Sequence, residues 1–246
     1  MIRVFKYALL LALSTSIKTF AQENFLTPSN TKIDKQFVKN ESYEMTWFML
    51  KDTIKIEIGK VFTDIKKKKK EILITTTVNM NRSTSKWVDS TIVKAKNLAP
   101  IYHSSFNQQR DMVLNFGKKV TGYYSNKKTG EKTIISETTK QPYFDSNFYP
   151  QLIRWLPLND YYSAVISIFD YNPHAKTGVI SATIKNVQKT SINLNGEKKQ
   201  VWKIQTTDEI SNNSVVSTYY LDYKTRKLLK QDIDANGRKM VMLLNE

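Results

Sequence analysis

From Tyr43 to Leu244 apolar and polar residues alternate with a period of two, and turn residues interrupt the pattern every eight to twelve positions. In Thr53-Ile54-Lys55-Ile56-Glu57-Ile58 three isoleucines share one face and Lys55 and Glu57 the other, which predicts a half-buried strand. Comparable runs cover 72–80, 87–93, 111–116, 120–124, 178–194, 201–207, 215–222, 227–234 and 238–244. Between two of them stands Asn195-Gly196, the strongest short hairpin signal, because both residues tolerate the positive φ of a type I′ turn. A row of about eleven or twelve strands joined mostly by short turns predicts a mainly β chain. The expected architecture is one large antiparallel sheet curled on itself, an unclosed β-barrel spanning residues 43–246 as a single domain.

One segment departs from this period. In FYPQLIRWLPL, residues Tyr149, Leu152, Ile153 and Leu156 recur at helical spacing, which predicts one short central helix over residues 147–156. Ser146 or Asn147 is available as its cap, Pro150 suits a first turn, and Pro157 ends it. Phe148 and Trp155 lie off that stripe, so the helix is apolar around most of its circumference and needs cover on more than one side. Its expected place is the concave face or open edge of the sheet. Phe148, Leu152, Trp155, Tyr162 and Phe169 are then candidates to line an apolar groove for an acyl chain or other apolar ligand beneath the helix. Ordinary core filling is the other reading of these aromatic residues.

The first residues change the picture. Arg3 and Lys6 precede a short apolar run from Tyr7 to Leu13, and Thr19-Phe20-Ala21 supplies small residues for cleavage after Ala21. A run of that length is far short of the ~20 residues that span a bilayer. Residues 1–21 therefore read as a secretory leader, and the expected location is the periplasm or cell envelope. Residues 22–42, polar and rich in turn formers, read as a flexible N-terminal arm. Cysteine is absent, which removes disulfides, thiolate metal sites, a cysteine nucleophile and N-terminal lipidation.

The formal charge is +16, and +13 without Arg3, Lys6 and Lys18, which favours anionic partners. Export argues against nucleic acid and leaves lipid headgroups or acidic envelope polymers. The sharpest concentration of charge is Lys66, Lys67, Lys68, Lys69 and Lys70, placed between two predicted strands, where a solvated hairpin tip and a basic contact surface are both possible readings. Catalytic patterns are thin. His103, at the end of a strand in PIYHSS, and His174, in a turn near Asp170, read as edge or surface histidines. No cofactor, metal or catalytic residue is expected.

The runs NLAPIYHSS, PQLIRWLPLND, GVISATIKNVQKTSINLNGEKKQVWKI and STYYLDYKTRKLLKQDIDANGRKMVMLL resemble a family of exported bacterial proteins known only as a domain of unknown function, over residues 41 to 244. That family is similar in turn to the periplasmic lipoprotein carrier and the outer-membrane lipoprotein receptor, unclosed β-barrels with helices plugging an apolar cavity. The resemblance implies lipid or lipoprotein handling without catalysis. The expected function is a non-enzymatic, monomeric carrier-like module, with an envelope structural protein that contacts anionic lipid or polysaccharide as the alternative.

Overall fold

The structure, a computed structural model, describes residues 25–173 and 175–245. The leader expected over 1–21 and the reading of His174 lie outside these residues. After β1 (Phe25–Leu26) the first meander begins with β2 (Glu41–Lys51), β3 (Ile54–Lys67), β4 (Glu71–Met80), β5 (Trp87–Lys94) and β6 (Pro100–Phe106). It continues through β7 (Arg110–Phe116), β8 (Val120–Asn126) and β9 (Lys132–Glu137). Next come β10 (Phe144–Asp145), the helix α1 (Tyr149–Trp155) and β11 (Ala164–Asp170). The second meander runs through β12 (Gly178–Leu194), β13 (Glu197–Asp208), β14 (Val215–Asp222), β15 (Leu228–Ala235) and β16 (Arg238–Leu244).

The sixteen strands of the described residues belong to one sheet. Antiparallel pairing of β16 with β2, Leu244 opposite Met45, joins the two meanders into a path from β11 through β16 and β2 to β9. The sheet curls but does not close, because β9 and β11 are not paired. Side chains fill the gap instead: Phe169 of β11 shares a cluster with Ile135 of β9, and its ring packs 5.9 Å from Phe116 of β7 and 5.3 Å from Tyr143, centroid to centroid. The edge of β11 opposite β12 is taken by β1 and β10, both parallel to it, so it offers no long unpaired ladder.

The predicted mainly β, unclosed barrel with one helix is what the chain forms, with more strands than the eleven or twelve expected. The additional ones include β1 and β10, two residues each and too short to display a period. Others are β2 and β11, whose apolar residues occupy both faces and so do not alternate. The Asn195-Gly196 hairpin is as predicted, with φ of 52° and 83° and Leu194 opposite Glu197. Ile54 and Ile56, expected to be half buried, are exposed. β4 covers β3 only from Gly59 onward and β16 covers β2 only up to Met49, so the far end of the β2–β3 hairpin overhangs the sheet.

Helix α1 is shorter than the predicted 147–156 and begins without a side-chain cap. Asp145, Ser146 and Asn147 spend their polar groups elsewhere, as described below. The helix crosses the inside of the curl: the Tyr149 hydroxyl donates to Asp208 Oδ2 at 2.6 Å, and Arg154 reaches the turn between β14 and β15. Arg154 is 4 % exposed, and its Nη2 meets Glu41 Oε2 at 2.6 Å while its Nε donates to the carbonyl of Arg226 at 2.8 Å. The arm is not loose from Phe25 onward, which corrects the expectation of a flexible segment. Val38 is buried, Ile33 and Phe37 pack on the main core, and the Asp34 N–H donates to the Trp155 carbonyl at 2.8 Å, satisfying an orphan acceptor at the helix end.

Candidate functional site

The five residues predicted to line a groove are core residues here. Phe148, Leu152 and Trp155 have essentially no exposed surface, and the rings of Phe148 and Trp155 lie 5.7 Å apart. Tyr162 packs half buried against the same cluster, and Phe169 fills the seam between the sheet edges. None of the five lines the recesses described next. The helix therefore occupies the space that a ligand beneath it would need.

The five lysines do form a hairpin tip. Lys66 and Lys67 end β3, the Lys68 N–H donates to the Glu71 carbonyl at 2.8 Å, and all five side chains are exposed. This tip is docked rather than free, because the Ala95 N–H in the neighbouring β5–β6 turn donates to the Lys70 carbonyl at 2.8 Å. Lys67 ties the arm to it: its N–H donates to Asn40 Oδ1 at 2.8 Å and its Nζ to the Val38 carbonyl at 3.1 Å.

Between the arm, this tip and the β5–β6 turn lies a pocket of about 570 Å³. Ile33, Val38, Ala95 and Ile101 supply apolar walls, and Lys35, Lys67, Lys69, Lys70, Lys94 and Lys96 surround them, with Glu71 the one acid in the lining. Among the described residues, Lys35, Lys69, Lys70, Lys94 and Lys96 form no ion pair with a carboxylate. Of the five tip lysines, Lys66, outside the lining, is paired among the described residues, with Asp64 at 2.9 Å. Unpaired ammonium groups around an apolar floor suit a ligand with an anionic head and an apolar body. A second basic recess of about 500 Å³ adjoins it, sharing Lys94 and adding Lys118 and Lys140.

At the opposite end of the strands sits a buried polar cluster. Register sets Thr91 opposite His103 and Asp89 opposite Ser105, with Met112 and Leu114 of β7 as the next partners of Ser105 and His103. Asp145 on β10 enters this group: its Oδ1 lies 2.9 Å from His103 Nδ1 and its Oδ2 accepts from Thr91 Oγ1 at 2.9 Å. Asn147 Nδ2 donates to Thr91 Oγ1 at 3.0 Å, and Ser146 Oγ to Asp170 Oδ1 at 2.7 Å. Trp87 Nε1 donates to Asp89 Oδ1 at 2.7 Å.

Burial pushes the carboxyl groups of Asp89 and Asp170 above their usual range, against the pull of their hydrogen bonds. For His103 burial works against the charged ring, but Asp145 in contact, helped by Asp89 and Asp170, outweighs it and holds the imidazole above its usual pKa. His103 is thus a buried histidine, 5 % exposed, and not the edge or surface group expected. A recess of about 210 Å³ opens beside it.

The family model described as "Protein of unknown function (DUF3108)" matches residues 42–243. The chain belongs to this family. The match reproduces nearly the whole span of the family resemblance read from the sequence. No curated protein matches the chain. Among solved structures it is similar to a β-barrel-like protein of the domain of unknown function DUF1849 from Brucella abortus, with a TM-score of 0.51 and 8 % identity over 84 % of this chain and 96 % of that one. At that identity the likeness concerns the fold alone.

Sequence reasoning on this DUF3108 chain reached the lysine tip but missed its partners. Ile33, Lys35 and Val38 lie in a segment without any period, and nothing local ties them to Lys94 or Lys96. The polar cluster has one faint sequence signal. In Trp87 to Val93, Asp89 and Thr91 share parity with Val93, so polar groups stand on the face that is otherwise apolar.

Proposed function

We propose that this protein is a non-enzymatic, exported binding module for anionic amphiphiles, with a carrier-like role in the cell envelope. The observation that carries the reading is the lysine-rimmed, apolar-walled pocket between the arm and the β3–β4 and β5–β6 tips. The ligand's anionic head lies among Lys69, Lys70, Lys94 and Lys96, and its apolar part against Ile33, Val38 and Ile101. Three further features support it: the leader pattern of residues 1–21, the strong positive charge, and the resemblance of the family to lipoprotein carriers. The filled core around α1 favours this site over one beneath the helix. Among the described residues no helix is long and apolar enough to cross a membrane.

The test is a titration of the delipidated protein with a fluorescent fatty acid and with its uncharged methyl ester. The acid binds and the ester binds at least tenfold more weakly, the ~1.4 kcal/mol expected of a charge-assisted contact. Replacing Lys69, Lys70, Lys94 and Lys96 together by glutamine lowers affinity for the acid by a similar factor or more and leaves the unfolding midpoint within a degree or two of the parent. Equal affinity for acid and ester, or an unchanged affinity in the fourfold variant, would exclude this site. Sedimentation with anionic vesicles that persists in the variant would instead favour the envelope-surface alternative.

A further inference from the structure

The recess beside His103 is independent of the lysine pocket and lies at the other end of the strands. Its lining includes Asp89, His103, Arg110 and Asp170, with Trp87 and Tyr171 as aromatic walls. His103 is nine-tenths buried, and its Nδ1 is turned to Asp145. Among the described residues its Nε2 has no hydrogen-bond partner, which leaves that edge of the ring available to the recess. Arg110 Nε, fully shielded from solvent, also lacks a partner. Buried groups with unused hydrogen-bonding capacity cost stability unless something fills it.

Charge narrows what that something is. Asp145 and His103 neutralise one another, so Asp89 and Asp170 face Arg110 alone, leaving one negative charge in excess when both are ionised. Each carboxylate also keeps lone pairs that its donors, Trp87 and Ser105 for Asp89 and Ser146 for Asp170, do not use. A protonated amine supplies three donors to such acceptors and cancels the excess charge. The Arg110 guanidinium donates, and a His103 ring protonated against Asp145 donates through Nε2, so hydroxyl oxygens on the same ligand accept from both and complete the set. At about 210 Å³ the space is below the roughly 300–1,000 Å³ of drug-sized sites, so the occupant is small or is one terminal group. Among the described residues no group of three or more histidine and acidic side chains is arranged to hold a metal ion.

We infer that this recess is a second binding site, for a small hydroxylated primary amine of the amino-sugar or ethanolamine kind. The ammonium lies between Asp89 and Asp170, and the hydroxyl groups accept from the Arg110 guanidinium and from His103 Nε2.

Nuclear magnetic resonance of the ¹⁵N-labelled protein tests this, with the Trp87 indole N–H and the His103 ring nitrogens as reporters. Glucosamine or ethanolamine should shift both saturably, while glucose and ethylene glycol should bind at least tenfold more weakly. Response to only one of the two amines identifies the source of the amino alcohol. D170N, and separately D89N, should each weaken amine binding tenfold or more while keeping a dispersed spectrum. Equal responses to amines and neutral polyols, no saturable shift on the order of 10 mM amine, or undiminished binding in a folded Asn variant would each overturn the assignment.

Discussion

Arg154 shows how a single charged side chain is kept inside this curl. Its guanidinium is shared among Glu41, Gln151 and the Arg226 carbonyl, and it stacks 5.5 Å over the Tyr43 ring, so one residue ties α1 to the start of β2 and to the β14–β15 turn. Removing it strands the mostly buried Glu41 carboxylate. Arg154→Ala should lose about 3–5 kcal/mol of unfolding free energy, measured by urea denaturation. His103 acts through pH. Its folded pKa is raised, so the stabilisation it brings is complete below about 6.5, the ordinary imidazole value, and is lost as pH climbs through the raised folded value. Asp89 and Asp170, whose carboxyl groups are also raised, add a loss in the same direction at lower pH. The denaturation midpoint should therefore fall as pH rises above about 6.5, and His103→Gln should flatten that fall. A midpoint independent of pH in the parent would contradict this account of the His103–Asp145 contact.

At the level of elements, legibility followed periodicity. The hairpin around Asn195-Gly196 could be read because alternation and turn chemistry agree there. β11, AVISIFD, is buried along most of its length and has no polar face to announce a strand. The helix was legible from its spacing, but its cap was not. Asp145, Ser146 and Asn147 have the chemistry of capping residues, and only the register of β5, β6 and β10 redirects them into the polar cluster. The arm's contacts carry no periodic signal in the sequence: β1 pairs with β11, Ile33, Phe37 and Val38 pack on the core, and hydrogen bonds run to Trp155 and Lys67. Trp155→Ala should cost about 3–5 kcal/mol through the cavity it leaves, without altering affinity for an anionic amphiphile. If fatty-acid binding fell in step with the loss of Trp155, the ligand would lie under the helix after all. Val38→Asp, by contrast, should release the arm and weaken both stability and binding, read by proteolysis near residue 38 and by the same titration.

On the scale of the whole molecule, the fold separates two kinds of surface. At the arm end, lysines on independent hairpin tips converge because the curl brings the β3–β4 and β5–β6 turns together and the arm closes over them. At the other end, acids and a histidine collect where β5, β6 and β7 meet the β10–β11 edge. Neither grouping is contiguous in sequence, which is why the five lysines alone looked like a complete feature when three of them, Lys67, Lys69 and Lys70, form one wall of a pocket. The direct measurement of the central claim is native mass spectrometry of the protein isolated from cells without added lipid, beside the variant with Lys69, Lys70, Lys94 and Lys96 changed to glutamine. The account predicts that the parent carries an anionic amphiphile that the variant has lost. A neutral ligand, or equal occupancy in the two proteins, would contradict it.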